Sequence, residues 1–143
     1  MKTAVITVST SVAAGRSEDR SGEALAELAG AAGADVVARE LVSDDQQAIE
    51  QALRAQVDAG VSLIFTTGGT GLTRDDVTPE ATKAVIDRDA PGFAEAMRAA
   101  SLKHTPMGIL TRGVSGIAGR TKPSAMSAER TGSPASPTGG WEE

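Results

Sequence analysis

The chain has 143 residues, no cysteine, two phenylalanines, one tryptophan, 40% hydrophobic residues and a net charge of −5. This length is enough for one compact domain with a real core, but not for two. The acidic balance argues against a nucleic acid or membrane surface held by charge, the scarcity of aromatics against stacking platforms for single strands, and the lack of cysteine against disulfides, thiolate metal sites and a cysteine nucleophile.

Lys2 to Ser9 is rich in Val, Ile and Thr and reads as a β-strand. Its apolar run is too short for the core of a signal peptide. Gly15 to Gly22 reads as a polar loop. Gly22 to Ala32 (GEALAELAGAA) follows as a helix, with Leu25, Leu28 and Ala29 on its inner face and Gly33 as its stop. Asp35 to Val42 is a second strand. In SDDQQAIEQALRAQVDAG, Ser43 and Gln46 have capping-box spacing, and Asp44 and Asp45 suit the positive end of a helix dipole. Ile49, Leu53 and Val57 recur every fourth residue, and Gly60 ends that helix. Val61 to Thr67 is a continuous apolar run of strand length, the pattern of a strand covered on both faces.

Thr78-Pro79-Glu80 is a helix start with threonine as the cap and proline at the first position. Another helix follows Pro91-Gly92 and runs to about Leu102, Met107 to Leu110 is a weak strand, and Gly113 to Gly119 is punctuated by glycine. Strands alternating with amphipathic helices imply a mostly parallel sheet with right-handed crossovers. No apolar segment approaches the roughly 18 residues that span a bilayer, so the expected address is the cytoplasm. From Lys122 to Glu143 the chain has no Ile, Leu, Val or Phe, and Gly, Pro, Ser and Thr make up more than half of it. Such a segment buries too little apolar surface to offset ordering entropy. The expected organisation is therefore a domain over 1–121 and a disordered tail over 122–143, whose removal barely changes thermal stability.

The stretch FTTGGTGLTRDDVTPE carries the clearest chemistry. In an open α/β sheet, ligands bind outside the carboxyl ends of the strands. Thr67, Gly68, Gly69, Thr70 and Gly71 lie there, directly after the most apolar strand. Glycines let successive N–H groups converge on an anion, and the two threonines add hydroxyl donors. A Walker loop is excluded because Leu72 and Thr73 stand where lysine belongs, and a dinucleotide fingerprint because Arg74 stands where glycine belongs. An ordinary tight turn after a strand is the alternative reading of the same glycines, but three glycines, two threonines and a polar extension at a switch point favour a functional loop.

Asp75 and Asp76 bear on that choice, since a carboxylate beside a phosphate is repulsive unless a cation such as Mg²⁺ joins them. Asp44 also follows a strand end, although a first-turn aspartate can serve the helix dipole alone. Two acids from separate strand ends around a phosphate loop suit metal-assisted phosphoryl or nucleotidyl transfer. His104, the single histidine, sits in SLKHTP at a helix end, a place for a solvent-facing imidazole rather than a catalyst. Arg112 suits either a phosphate clamp or a solvated surface.

Five stretches carry a resemblance: TTGGTGLTRDDVTPEAT, DRDAPGFAEAMRAASLKHTP, ILTRGVSGIAGRT, LVSDDQQAIEQAL and EDRSG. Together with the first strand they resemble, in order and spacing over Met1–Thr121, the MogA/MoaB family of molybdenum-cofactor proteins, relatives of the gephyrin G domain. The resemblance implies a three-layer α/β/α domain with a mostly parallel sheet, assembled as a homotrimer. It implies adenylylation of molybdopterin by ATP with Mg²⁺, releasing pyrophosphate, and delivery of the product to a MoeA-like molybdate insertase. Asp76 matches the family's essential aspartate and Asp44 its second functional aspartate. Thr67–Gly71 match the loop for the pterin phosphate side, and Glu95, Ser101 and Arg112 match polar positions near the pocket. The resemblance also leaves a rival class, a non-catalytic MoaB-like molybdopterin-binding or scaffold trimer. That rival draws on a departure: the tail replaces the family's apolar strand, NLPGSP-like motif and final amphipathic helix. A missing strand is therefore expected at that end, with a neighbouring edge left uncovered.

Overall fold

After Lys2, every residue of the first strand, Lys2–Val8 (β1), is buried, which requires cover on both faces of the sheet. The computed structural model describes residues 1–119 and the backbone of Met126–Ala128. Along the chain, β1 is followed by α1 (Thr10–Ala13), α2 (Arg20–Ala31), β2 (Asp35–Val42), α3 (Gln46–Asp58) and β3 (Leu63–Thr67). Then come α4 (Thr78–Val85), β4 (Arg88–Asp89), α5 (Pro91–Leu102), a 3₁₀ turn (Pro106–Leu110), β5 (Gly116–Ile117) and β6 (Met126–Ala128). The main sheet is parallel throughout, in the order β2-β1-β3-β6, and β4 and β5 form a small antiparallel pair.

One face of β1 presents Ala4, Ile6 and Val8 to Ile49, Ala52 and Leu53 of α3, with Ile64, Ala81 and Val85 in the same cluster. Fully burying aliphatic side chains such as Ile6, Ile49, Leu53 and Ile64 contributes about 1.5–3 kcal/mol each relative to exposure. The opposite face buries Thr3, Val5 and Thr7. Helix α2 packs there so closely that a Cβ on Gly22 would collide with the Thr7 hydroxyl and the Asp19 carboxylate. The three layers expected from the sequence are therefore present. Because β2 and β3 flank β1 on opposite sides, the strand order reverses between β1 and β3, and a crevice opens at their carboxyl ends.

The departures from expectation are local. Ser9 caps an extra helical turn, α1, directly after β1. Helix α2 starts at Arg20, capped by Asp19, whose carboxylate accepts a 3.0 Å bond from the Gly22 amide. Its inner face is Gly22 and Ala29, while Leu28 is 64% exposed and not part of the core. Asp45 rather than Ser43 caps α3, accepting from the Ala48 amide at 3.0 Å. Thr78 is the first residue of α4 and not its cap. Met107–Leu110 is not a strand: Pro106 starts a 3₁₀ turn, and the Thr105 hydroxyl accepts from the Met107 amide.

The largest correction is β6. Met126–Ala128 pair in parallel with Phe65–Thr67 and cover the edge of β3, although the segment has no strand-like composition. The rest of the expected tail, including the boundary at Thr121, lies outside the described residues. Among the described residues, no helix is long and apolar enough to cross a membrane.

Candidate functional site

Strand β3 delivers Thr67 to the crevice, and the chain then turns through left-handed backbone, with φ of 95° at Gly68 and 67° at Gly69. These two positions need glycine for space as well as for conformation. A Cβ on Gly68 would collide with the Val8 carbonyl oxygen, and one on Gly69 with the Thr78 hydroxyl. Thr78 fastens the loop to α4, its hydroxyl donating to the Gly68 carbonyl at 2.9 Å and its amide to the Gly69 carbonyl at 3.1 Å. Thr67 and Thr70 are buried in the same turn.

Asp76 closes the loop against its own N-terminal part. Its Oδ2 accepts from the Thr73 amide at 2.9 Å and the Thr73 hydroxyl at 2.8 Å, and its amide donates to the Thr73 carbonyl at 3.2 Å. Burial by itself would raise the Asp76 pKa. The Thr73 hydroxyl and amide, the Gly71 amide and the Arg112 charge outweigh it, so the carboxyl is held below the ordinary carboxylate range. Asp76 is therefore a fixed, ionised carboxylate at neutral pH. Asp75 is exposed beside it.

Arg112 meets this loop from the opposite side. Its Nε donates to the Gly71 carbonyl at 2.8 Å, its Nη2 to the Asp76 carbonyl at 2.6 Å, and its Nη1 to Glu80 Oε1 at 2.6 Å. Its backbone amide also donates to the Thr70 carbonyl at 2.8 Å. The bond to Arg112 is the main cause of a depressed Glu80 pKa, and the bond to Glu80 the main cause of a raised Arg112 pKa.

Asp44 stands at the carboxyl end of β2, on the other side of β1 from the glycine loop. Strands lie about 4.8 Å apart, so two strand spacings, about 10 Å, separate the ends of β2 and β3. Its Oδ2 accepts from the Thr10 amide at 3.0 Å and the Thr10 hydroxyl at 2.9 Å, which places it across the start of α1, outside the first turn of α3. Asp45, not Asp44, is therefore the cap of α3, and Asp44 directly precedes it.

The remaining expected residues lie on α5. Glu95 is exposed in its first turns, and Ser101 is buried against Gly108 of the 3₁₀ turn. Hydrogen bonds join Thr70, Gly71, Asp76 and Arg112 directly, whereas Asp44 lies beyond β2 and Glu95 and Ser101 lie on α5. His104 is exposed at the end of α5. A surface hollow of about 380 Å³ lined by Lys83, Ile86, Asp87, Arg88 and Asp89 contains none of the expected site residues.

Sequence reasoning missed Thr73, Thr10, Glu80 and Ser115. The Thr73-x-x-Asp76 spacing is a local signal, since a carboxylate and a hydroxyl three residues apart readily close a turn. Nothing local marks Ser115. It is buried, and its hydroxyl donates to the Ala90 carbonyl at 2.6 Å and accepts from the Ala94 amide at 3.1 Å. It thereby caps α5, whose own cap residue makes no side-chain bond.

Among the described residues, no three or more His, Cys, Asp or Glu side chains group to hold a metal. A magnesium ion that arrives with a nucleotide needs only one or two protein carboxylates. Asp76 and Asp44 fit that requirement: Asp44 follows the carboxyl end of β2, Asp76 ends the loop after β3, and neutral amides and hydroxyls, not lysine or arginine side chains, bond directly to their carboxylates.

A glycine loop and a fixed carboxylate thus lie together at the reversal point of a parallel sheet, the place where open α/β domains take their ligands. Residues 4–137 match the sequence pattern of the probable molybdopterin binding domain family, and the chain belongs to that family. A molybdopterin adenylyltransferase of Haemophilus influenzae is 53% identical over 75 residues, 52% of this chain and 38% of that protein. The chain thus aligns with well under half the length of this curated relative. Among solved structures, the molybdopterin biosynthesis enzyme MoaB of Thermus thermophilus superposes with a TM-score of 0.81 at 40% identity, covering 90% of this chain and 80% of that one. A molybdopterin biosynthesis protein from Mycobacterium abscessus gives 0.84 at 36% identity, covering 91% and 82%.

Proposed function

We propose that this chain adenylylates molybdopterin. A phosphate oxygen of molybdopterin attacks the α-phosphorus of ATP, a new P–O–P linkage forms, and the bond to the β-phosphate breaks to release pyrophosphate. The amides and hydroxyls of Thr67–Gly71 would hold the pterin phosphate. Asp76 would orient the attacking group, with Asp44 acting from the end of β2, two strand spacings away across β1. Glu95 and Ser101 would contribute polar contacts from α5. Asp76 or Asp44 would hold magnesium that arrives with ATP, which would supply charge neutralisation on the phosphates. The observation that carries this reading is the Asp76 carboxylate, locked by Thr73 at the end of the glycine loop. The curated relatives named molybdopterin adenylyltransferase support the choice of reaction.

Cytoplasmic location, a homotrimer and handover to a MoeA-like insertase belong to the same proposal. The non-catalytic scaffold reading drew on the loss of a C-terminal strand and helix; β6 supplies a strand, while the place of the helix lies outside the described residues. The test is AMP transfer from ATP to molybdopterin by the full chain and by Asp76→Asn. The wild type is expected to transfer AMP, and the variant to lose at least about 100-fold in kcat while it still unfolds cooperatively and its molybdopterin affinity stays near wild type. Equal rates in both proteins would remove Asp76 from catalysis. Molybdopterin binding by the wild type without transfer would mark a scaffold.

A further inference from the structure

We infer that Arg112 is a positioning residue, which sets the shape of the glycine loop and the place of Asp76 from within the protein and does not contact substrate. A guanidinium has one hydrogen on Nε and two on each terminal nitrogen. Nε is committed to the Gly71 carbonyl at 2.8 Å. Nη2 is committed to the Asp76 carbonyl at 2.6 Å and to Glu80 Oε2 at 3.4 Å. Nη1 holds Glu80 Oε1 at 2.6 Å, which leaves one hydrogen on this side chain outside the network.

The two carbonyls bound by Nε and Nη2 belong to the first and last residues of the turn Gly71–Asp76. One planar group therefore fixes the span of that turn, and Glu80 ties the same group to the first turn of α4. The Arg112 amide adds a further tie, to Thr70. The Arg112 and Glu80 side chains are 36% and 45% exposed, so their charge attraction is screened and worth little by itself. What the pair supplies is geometry. Lysine, a point charge on a flexible stem, keeps the charge but cannot reach two carbonyls and a carboxylate in one plane. A misplacement of a reacting group by about 1 Å costs on the order of 100-fold in rate.

This inference rests on the proposed adenylyl transfer, and its test separates the two. In the full-length protein, Arg112→Lys, Arg112→Ala and Glu80→Gln are compared with wild type by kcat, by KM for ATP and by equilibrium molybdopterin binding. Hydrogen exchange at the amides of residues 71–76 is followed in parallel. We expect Arg112→Lys to lower kcat about 100-fold, close to Arg112→Ala, with KM and molybdopterin affinity within about 3-fold of wild type. Glu80→Gln should move kcat in the same direction, and loop exchange should accelerate at least about 10-fold in Arg112→Lys.

A direct phosphate contact would behave otherwise. Lysine would then rescue much of the activity, and Glu80→Gln would leave kcat unchanged; either of these overturns the inference. If Arg112→Ala does not fold, Arg112→Lys and Glu80→Gln decide the matter. If the wild type transfers no AMP, the proposed activity fails, and unchanged loop exchange in Arg112→Lys would overturn the positioning role independently.

Discussion

Gly68 carries a positive φ of 95° and faces the Val8 carbonyl, whereas Gly15, with φ of 74°, has no atom within 4 Å of where a Cβ would go. Left-handed backbone alone costs an alanine about 1–2 kcal/mol. Gly15→Ala should therefore lower the urea-unfolding free energy by about 1 kcal/mol, and Gly68→Ala by about 3 kcal/mol or more, because β1 must also give way. Equal losses would mean that contact with β1 contributes nothing. Asp76 makes a second prediction at this scale. Its folded pKa is depressed, so the unfolded chain binds more protons in the window between the folded value and about 3.9, and stability there rises with pH. The stabilisation is fully present above that window and is lost as pH falls through the folded pKa. Urea titrations between about pH 5 and pH 2.5 should show a shallower acid-side loss for Asp76→Asn than for wild type. Identical slopes would show that Thr73 does not favour the ionised form.

The segment from Arg112 to Gly119 joins elements that are far apart in sequence. Arg112 holds the glycine loop, the Gly113 carbonyl accepts from Arg98 of α5 at 2.8 Å, and Ser115 caps α5. Gly116–Ile117 pair with β4, and the Gly119 amide donates to Asp87 at 2.7 Å. Helix α5 therefore depends on a cap that is not its own. Ser115→Ala would strand the buried Ala94 amide and remove the donor to Ala90, at a cost of about 1–3 kcal/mol. Amide exchange in the first turn of α5 should accelerate in that variant while β1 stays protected. Uniform acceleration would mean that the cap has no local role.

For the molecule as a whole, β6 argues against the expectation that removing the segment after Thr121 barely changes thermal stability. Removing residues 122–143 would strip the partner from Phe65–Thr67 and leave β3 as an open edge beside the glycine loop. The truncated chain should melt several degrees lower than the full chain and associate through that edge. An unchanged melting curve would show that β6 adds no stability. Sedimentation of the full chain with and without Mg-ATP tests assembly, with a trimer of 14.5-kDa chains expected and stabilisation by the nucleotide. A monomer indifferent to Mg-ATP would remove both the trimer and the nucleotide from the proposal.

What the amino-acid order determined by itself is the set of elements whose signal is local. Alternating or continuous Val, Ile and Thr marked β1, β2 and β3, four-residue apolar spacing marked α3, Pro91 opened α5, and three glycines before two aspartates marked the candidate site. These features depend on neighbours within a few residues, where spacing and backbone preference dominate. The tertiary structure decided what depends on distant partners. Arg112 reaches Gly71 across 41 positions, Thr10 holds Asp44 across 34, and Ser115 caps α5 across 25. It also decided that Met126–Ala128, poor in strand-forming residues, becomes a strand, and that Thr78 serves the glycine loop instead of capping α4. A backbone donor or acceptor brought into a buried crevice must find a partner there, whatever its own side chain prefers, and only the assembled fold specifies which partner is within reach.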